Sequence, residues 1–195
     1  MDMQAVFLEP KSNVSALYYK IKLAVIDFTF YDLKTEDESC FVCNESEGGL
    51  TASVYASNIM NFLARGTDKH QVPYIIYSYG CTSRNRNVTL SNALLNLALF
   101  LKNITIFQKY LERGHIQMKC DSMHSTIERQ IKNAIINVSA DCITIFRAAR
   151  KNPSPYKVEY LNHQFFKDIS SLQYYPSIRP RTSVTVNCIR QLRYD

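Results

Sequence analysis

Apolar positions along the chain follow a period of two near the start and a period of 3.6 later on. After Asp2, the run Met3, Ala5, Val6, Phe7 and Leu8 predicts a strand over residues 1–8, ended by Glu9-Pro10. A core strand with no lead-in is an abrupt opening, so an N-terminally truncated domain is expected. Lys11–Ser15 reads as a polar connection. Residues 16–32 (ALYYKIKLAVIDFTFYD) are the longest strand candidate. Tyr19, Ile21, Leu23 and Val25 alternate with Lys20, Lys22 and Ala24, and Phe28 and Phe30 continue the pattern. A charged turn (DLKTEDES) and a short strand over residues 40–43 complete a hairpin. Beyond the loop NESEGG, Thr51 is placed to cap a helix over residues 52–64. Tyr55, Ile59 and Phe62 share one face of it, and Arg65-Gly66 ends it.

The stretch Val72–Asn87 (VPYIIYSYGCTSRNRN) opens as an almost continuous apolar run, the pattern of a central strand covered on both faces. It breaks at Ser78-Tyr79-Gly80, before a helix predicted over residues 89–101. Open α/β sheets hold their chemistry at the carboxyl ends of strands, so this turn is a candidate site. Its Arg84, Asn85, Arg86 and Asn87 offer donors to phosphate or carboxylate, against the plainer reading of a solvated loop. A strand over 104–110 follows, then a helix over about 122–135 with Ile127, Ile131 and Ile135 as its stripe. Asp121, His124 and Glu128 fall at i, i+3 and i+7 on one face, where they are able to meet a metal or a proton. The plainer alternative is an acid favoured by the helix dipole beside ordinary surface residues. Ser139 is placed to cap a helix over 140–150, which Asn152-Pro153-Ser154-Pro155 ends. The remainder is less regular, with a strand at 158–161, a helix at 164–169 and a strand at 183–192. Arg179, Arg181, Arg190 and Arg193 make this tail basic. The expected division is a domain over 1–150 and a mixed, basic extension over 151–195 packed on it.

Three strands and then alternating helices and strands is the element order of an RNase H-like domain. The expected fold is therefore α/β: an antiparallel three-strand meander followed by helix-strand alternation, in one mixed sheet with helices on both faces. In that fold one acid sits on the first strand, a second at the end of the fourth, and a third at or near the last helix. Together they hold two divalent cations at a phosphodiester.

Composition narrows the classes. A chain of 195 residues with 46% hydrophobic and 21% charged residues is ordinary for a folded domain. A net charge of +6 permits a polyanionic partner without requiring one. Six cysteines do not make a disulfide framework, and Cys40-Phe-Val-Cys43 has no second pair at zinc spacing. The N-terminus lacks a signal-peptide pattern, and no window approaches the ~18 apolar residues of a membrane span. The expected location is intracellular, nuclear or cytoplasmic, and not secreted.

Asp2-Met3-Gln4, EGGLT (Glu47–Thr51), YSYGCTSRNRN (Tyr77–Asn87), LSNALL (Leu90–Leu95), GHIQMKCDSMHSTIER (Gly114–Arg129) and SIRP (Ser177–Pro180) carry a resemblance that runs from about Asp2 to Tyr194. The chain resembles a family of RNase H-like, transposon-derived (DDE transposase-like) proteins of insects and other invertebrates, whose members are usually longer at the N-terminus. The resemblance implies that Asp2 and Asp121 are metal-binding acids, with His124 following and Glu128 a further candidate on the same face. It implies that His115 lines the site beside nucleic acid, with Arg84, Asn85, Arg86 and Asn87. One position departs: the family pattern Y-S-D-G-C carries Tyr79 here in place of its acid. A phenol with a pKa near ~10 is neutral at pH 7 and a poor ligand for Mg²⁺. The resemblance thus implies a degenerate or domesticated transposase-like domain, inactive at Tyr79, that keeps nucleic-acid binding. The alternatives are a residual metal-dependent nuclease or strand-transferase and a non-catalytic protein-interaction domain. Mg²⁺ or Mn²⁺ is the expected cofactor of an active form and none of a degenerate one. DNA is the partner left open; a membrane and a small-molecule cofactor are not expected, and the oligomeric state is not fixed.

Overall fold

The computed structural model of the chain describes residues 1–4, 7–12, 22–66, 73–101, 104–112, 118–179 and 184–195. In chain order its elements are β1 (Asp2–Met3), β2 (Phe7–Glu9), β3 (Leu23–Tyr31), β4 (Glu38–Asn44), α1 (Ala52–Gly66), β5 (Tyr74–Tyr79), α2 (Val88–Leu101), β6 (Ile106–Leu111), α3 (Lys119–Lys132), α4 (Ser139–Ala148), β7 (Lys157–Tyr160) and β8 (Gln191–Tyr194). They form two compact units, Met1–Gly49 with Gln117–His163 and Leu50–Ile116 with Gln164–Asp195. The chain is therefore cut elsewhere than at the expected 150/151 boundary, because long-range strand pairing closes each unit.

The first unit is built on β3. β1 and β2 both pair antiparallel with it, with Asp2 opposite Thr29 and Phe7 opposite Val25. The predicted hairpin forms between β3 and β4, in a register running from Tyr31–Glu38 to Val25–Asn44. Its turn is an Asx turn: Asp32 Oδ1 accepts the N–H of Lys34 at 2.8 Å. β7 adds parallel to β4, with Ser39 opposite Lys157. Every residue from Val25 to Phe30 is buried, so β3 has no solvent face. This explains the break in its sequence alternation between Val25 and Phe28. On one face Val25, Cys40, Val42 and Val158 pack with Met123, Ile127 and Ile131 of α3 and with Cys142 and Phe146 of α4. α3 starts at Lys119, three residues before the predicted start, and ends at Lys132. The expected third member of its apolar stripe, Ile135, is 61% exposed. Ser139 is not the cap of α4. It is the first helical residue, and its hydroxyl donates to Glu9 Oε1 at 2.6 Å. Asp141 Oδ2 accepts the N–H groups of Asn137 and Val138 in its place, at 2.8 and 3.1 Å.

The second unit is a β5–α2–β6 crossover closed by β8. β5 and β6 are parallel, with Tyr74 opposite Ile106, and β8 is antiparallel to β6. β6 is thus central and β5 is an edge. This corrects the expectation that residues 72–77 are covered on both faces, since Ile75 and Tyr77 are 49% and 36% exposed. α2 buries Leu90, Ala93, Leu94, Leu97 and Ala98 at the predicted spacing. Tyr194 of β8 donates to Gln108 Oε1 of β6 at 2.8 Å, tying the C-terminal strand to the sheet. The predicted helix over 164–169 is a single 3-10 turn, His163–Phe165. The strand over 183–192 shortens to Gln191–Tyr194 behind a 3-10 turn at Val186–Cys188.

The architecture is mixed α/β, as the hydrophobic pattern predicted. Among the described residues its strands form two sheets, of five and three strands, where one mixed sheet was expected. Local periodicity identifies a strand but not its partner. Among the described residues no helix is long and apolar enough to cross a membrane.

Phe146 is fully buried at the centre of the first unit's core, with Phe7 edge-on to its ring at 5.9 Å. Phe146→Ala is expected to cost ~3–5 kcal/mol of that unit's stability, read as a lower urea midpoint in its unfolding.

Candidate metal centre

Three side chains of the first unit converge between β1 and α3. Asp2 is on β1, and Asp121 and His124 lie one turn apart at the start of α3. Asp121 sits in the first turn, where its Oδ2 accepts the N–H of Met118 at 2.7 Å. A short acceptor there satisfies an orphan donor of the helix end and favours the macrodipole. The next turn then brings His124 to the same side as Asp121. One ligand atom from each of Asp2, Asp121 and His124 lies within 4.8 Å of the other two, the one such grouping among the described residues.

A buried polar seam holds the histidine. Its Nε2 is 2.8 Å from Thr29 Oγ1 on β3. The Thr29 hydroxyl also donates toward Asp27 Oδ2 at 3.5 Å. Gln4, 1% exposed, donates from Nε2 to the His124 carbonyl and from its backbone N–H to the Asp27 carbonyl, each at 3.0 Å. It thereby joins the end of β1 to both β3 and α3. The Cys120 thiol donates to the Thr29 carbonyl at 3.7 Å. Burial lowers the pKa of His124, against the opposing pull of Asp121 and Glu128. A neutral imidazole keeps a lone pair for a ligand. Burial pushes Asp27 up to about 7, partly offset by hydrogen bonds from Cys40 and Thr29.

The donor set fits a divalent cation. Two carboxylates supply hard anionic oxygen and one imidazole supplies a borderline nitrogen, a mixture that suits Mn²⁺ or Zn²⁺ better than Mg²⁺. Glu128 is exposed and outside the trio, and its Oε1 is 3.5 Å from Gln4 Nε2. Tyr79 ends β5 in the second unit.

The basic turn has structural work that its sequence did not announce. Asn85 is 2% exposed: its Oδ1 accepts the N–H of Cys81 at 2.8 Å, and its carbonyl accepts from Gln108 and Tyr110. Arg86 is 5% exposed, stacks 4.4 Å from the Tyr110 ring centre, and donates to the Asn187 carbonyl at 3.1 Å. Asn87 Oδ1 caps α2 by accepting the N–H of Leu90 at 2.9 Å. All three side chains thus have partners within their own unit, which neither the donor-cluster reading nor the solvated-loop reading foresaw. Arg84 keeps a partly exposed side chain. His115 lies outside the described residues.

Sequence reasoning missed Gln4, Thr29 and Asp27 as members of the site. A signal existed for Asp27: a carboxylate inside LAVIDFTFY, in phase with Val25, is an anomaly in a buried strand. Gln4 stands in the Asp2-Met3-Gln4 motif, but nothing local marks its role or that of Thr29, which arise from the packing of β1 and α3 on β3.

Two outcomes are expected. The acid Asp27 binds a proton in the folded chain up to about pH 7 and in the unfolded chain only up to about 3.8. Between those values the folded state holds the extra proton, so stability is greatest below the lower one and falls as pH rises through the upper one. Urea unfolding of the first unit from pH 4 to 8 reads this decline, on the order of a few kcal/mol, and Asp27→Asn flattens it. In the second unit, a Cβ on Gly80 would lie 1.9 Å from Arg86 Nη2. Gly80→Ala is expected to cost ~1–3 kcal/mol by displacing the stacked guanidinium; adding Arg86→Ala should make the Gly80→Ala step nearly neutral.

No family model, curated protein or solved structure matches the chain.

Proposed function

We propose that the chain is a degenerate transposase-like domain of RNase H-like descent that retains one divalent-cation site and lacks two-metal phosphodiester chemistry. The observation that carries this is the approach of Asp2, Asp121 and His124 to within 4.8 Å of one another. Two of the three are the acids that the family resemblance implies for metal binding. Two-metal catalysis needs carboxylates enough to hold both cations ~3.5–4 Å apart. Tyr79 stands where the resemblance implies the central one, and a neutral phenol does not supply it.

A cation bound at this site would supply charge neutralisation at a phosphate and a lowered pKa for its water. Asp2 and Asp121 would hold it by anionic oxygen. Buried, neutral His124 would add a directional nitrogen. Nucleic-acid binding rests on the net charge of +6 and on Arg84, Arg179, Arg190 and Arg193. It no longer rests on Asn85, Arg86 and Asn87, whose side chains are engaged within their own unit.

A second reading, a residual single-cation nuclease, is favoured by the same proximity of Asp2 and Asp121, which any such enzyme requires. Mn²⁺ calorimetry and plasmid nicking separate the two. The expected result is one Mn²⁺ per chain, affinity at least ~10-fold lower in Asp2→Asn and in Asp121→Asn, and no nicking above background. Mn²⁺-dependent nicking that disappears in Asp121→Asn would establish the nuclease instead. Absence of any Mn²⁺ uptake by the wild-type chain would remove the metal reading. DNA binding is expected to weaken steeply with salt; a chain with no affinity for DNA at low salt would leave protein interaction as its role.

A further inference from the structure

The cation reading leaves open how a buried histidine presents the correct nitrogen. An imidazole has two, and a neutral ring carries its proton on one of them. In the first unit, Nε2 is taken up by Thr29 Oγ1 at 2.8 Å. A threonine hydroxyl has a single proton to give. Above its titration at about 7 the buried Asp27 carboxylate can only accept, and its Oδ2 lies 3.5 Å from the threonine oxygen, so that proton goes to it. The oxygen must then accept at its other contact, so Nε2 is the protonated nitrogen. Asp27 is 0% exposed, and besides Thr29 its carboxyl takes a hydrogen bond from the Cys40 thiol on β4, which helps hold it in place.

We propose that Thr29 and Asp27 are positioning residues for His124: the chain Asp27 Oδ2–Thr29 hydroxyl–His124 Nε2 fixes the Nε2-protonated tautomer and leaves Nδ1 as the nitrogen that takes a cation. This deepens the single-cation reading and rests on it only for the final step. The physical logic is that of a metal-binding histidine whose second nitrogen donates to a neighbouring oxygen. Such a partner fixes both tautomer and ring orientation, and its loss lowers metal affinity by ~10–100-fold. Here the acceptor is a hydroxyl backed by a buried carboxyl group. The two residues come from one face of β3, two positions apart, while the histidine comes from α3. The β3–α3 packing that builds the core therefore also sets the tautomer. Gln4 adds to this by fixing the His124 carbonyl at 3.0 Å.

The test reads the tautomer directly in the metal-free, ¹⁵N-labelled full chain, by long-range ¹H–¹⁵N correlation at a pH above the titrations of both His124 and Asp27. His124→Gln identifies the signals. The wild type is expected to show the Nε2-protonated form. Thr29→Val keeps the side-chain shape and removes the hydroxyl; it should abolish the preference and lower Mn²⁺ affinity ~10–100-fold, and Thr29→Ser should restore both. Asp27→Asn keeps an oxygen acceptor and should leave the tautomer unchanged. Asp27→Leu frees the threonine proton for Nε2 and should shift His124 to the Nδ1-protonated form. An Nδ1-protonated ring in the wild type, or an unchanged tautomer in Thr29→Val, overturns the proposal, even if Mn²⁺ binds. If the wild type takes up no Mn²⁺ while the tautomers behave as stated, the hydrogen-bond chain stands and the cation reading fails.

Discussion

The packing of α3 on β3 is the contact on which the first unit depends. Its apolar part is conventional: Met123, Ile127 and Ile131 fill the space over Val25, Cys40 and Val42. Its polar part, made by Thr29, Asp27, Gln4, Cys120 and His124, is buried with them. In that low-dielectric setting each polar group is costly unless it is matched. Matching therefore fixes the rotation of α3 about its axis more tightly than apolar contact alone would. That rotation decides whether Asp121 and His124 face β1. A core of the same volume made only of aliphatic side chains would hold the helix without specifying its face. The site is thus a by-product of how the core is registered.

The elements of this fold were legible in the sequence to a greater degree than their partners. The charged turn between β3 and β4, the stripe Leu90, Ala93, Leu94, Leu97 and Ala98, and the breaks at Gly66 and Pro153 all mark local features. Each depends on residues near one another in the chain. The pairing of β4 with β7 and of β6 with β8 does not, and it divides the molecule into two units. The same distinction runs through the site. Asp121 and His124 share a helical face, so their spacing exposed them. Asp2 was flagged by its resemblance-bearing motif. Thr29 enters only because α3 packs on β3 and sets the His124 ring against its hydroxyl.

The basic turn shows the opposite error, in which conspicuous residues have inward roles. Arg84, Asn85, Arg86 and Asn87 look like an outward array of donors in the sequence. The turn is tight, with Cys81 accepting the N–H groups of Arg84, Asn85 and Arg86 at 3.2, 2.9 and 2.9 Å. A turn wound so closely must satisfy its own backbone, and the Asn85 side chain does so by accepting the Cys81 N–H, while Arg86 is drawn inward to the Tyr110 ring and the Asn187 carbonyl. Charge along a sequence is thus weak evidence for a solvent-facing surface wherever the backbone reverses sharply.

The discontinuity of the first unit has a consequence for the order of events during synthesis. β3 and β4 leave the ribosome early, yet the helix that covers them begins at Lys119 and the strand that pairs with β4 at Lys157. At ~5–20 residues per second, the hairpin waits on the order of several seconds for either. Meanwhile a strand built to be buried on both faces stands uncovered, with the unpaired edge of β4 beside it. The whole of the second unit's β5–α2–β6 segment is made in that interval. The nascent first unit therefore lacks its covering helix and its β7 neighbour until elongation has passed residue 160, so its exposure to aggregation depends on elongation speed between residues 50 and 160 as well as on final stability.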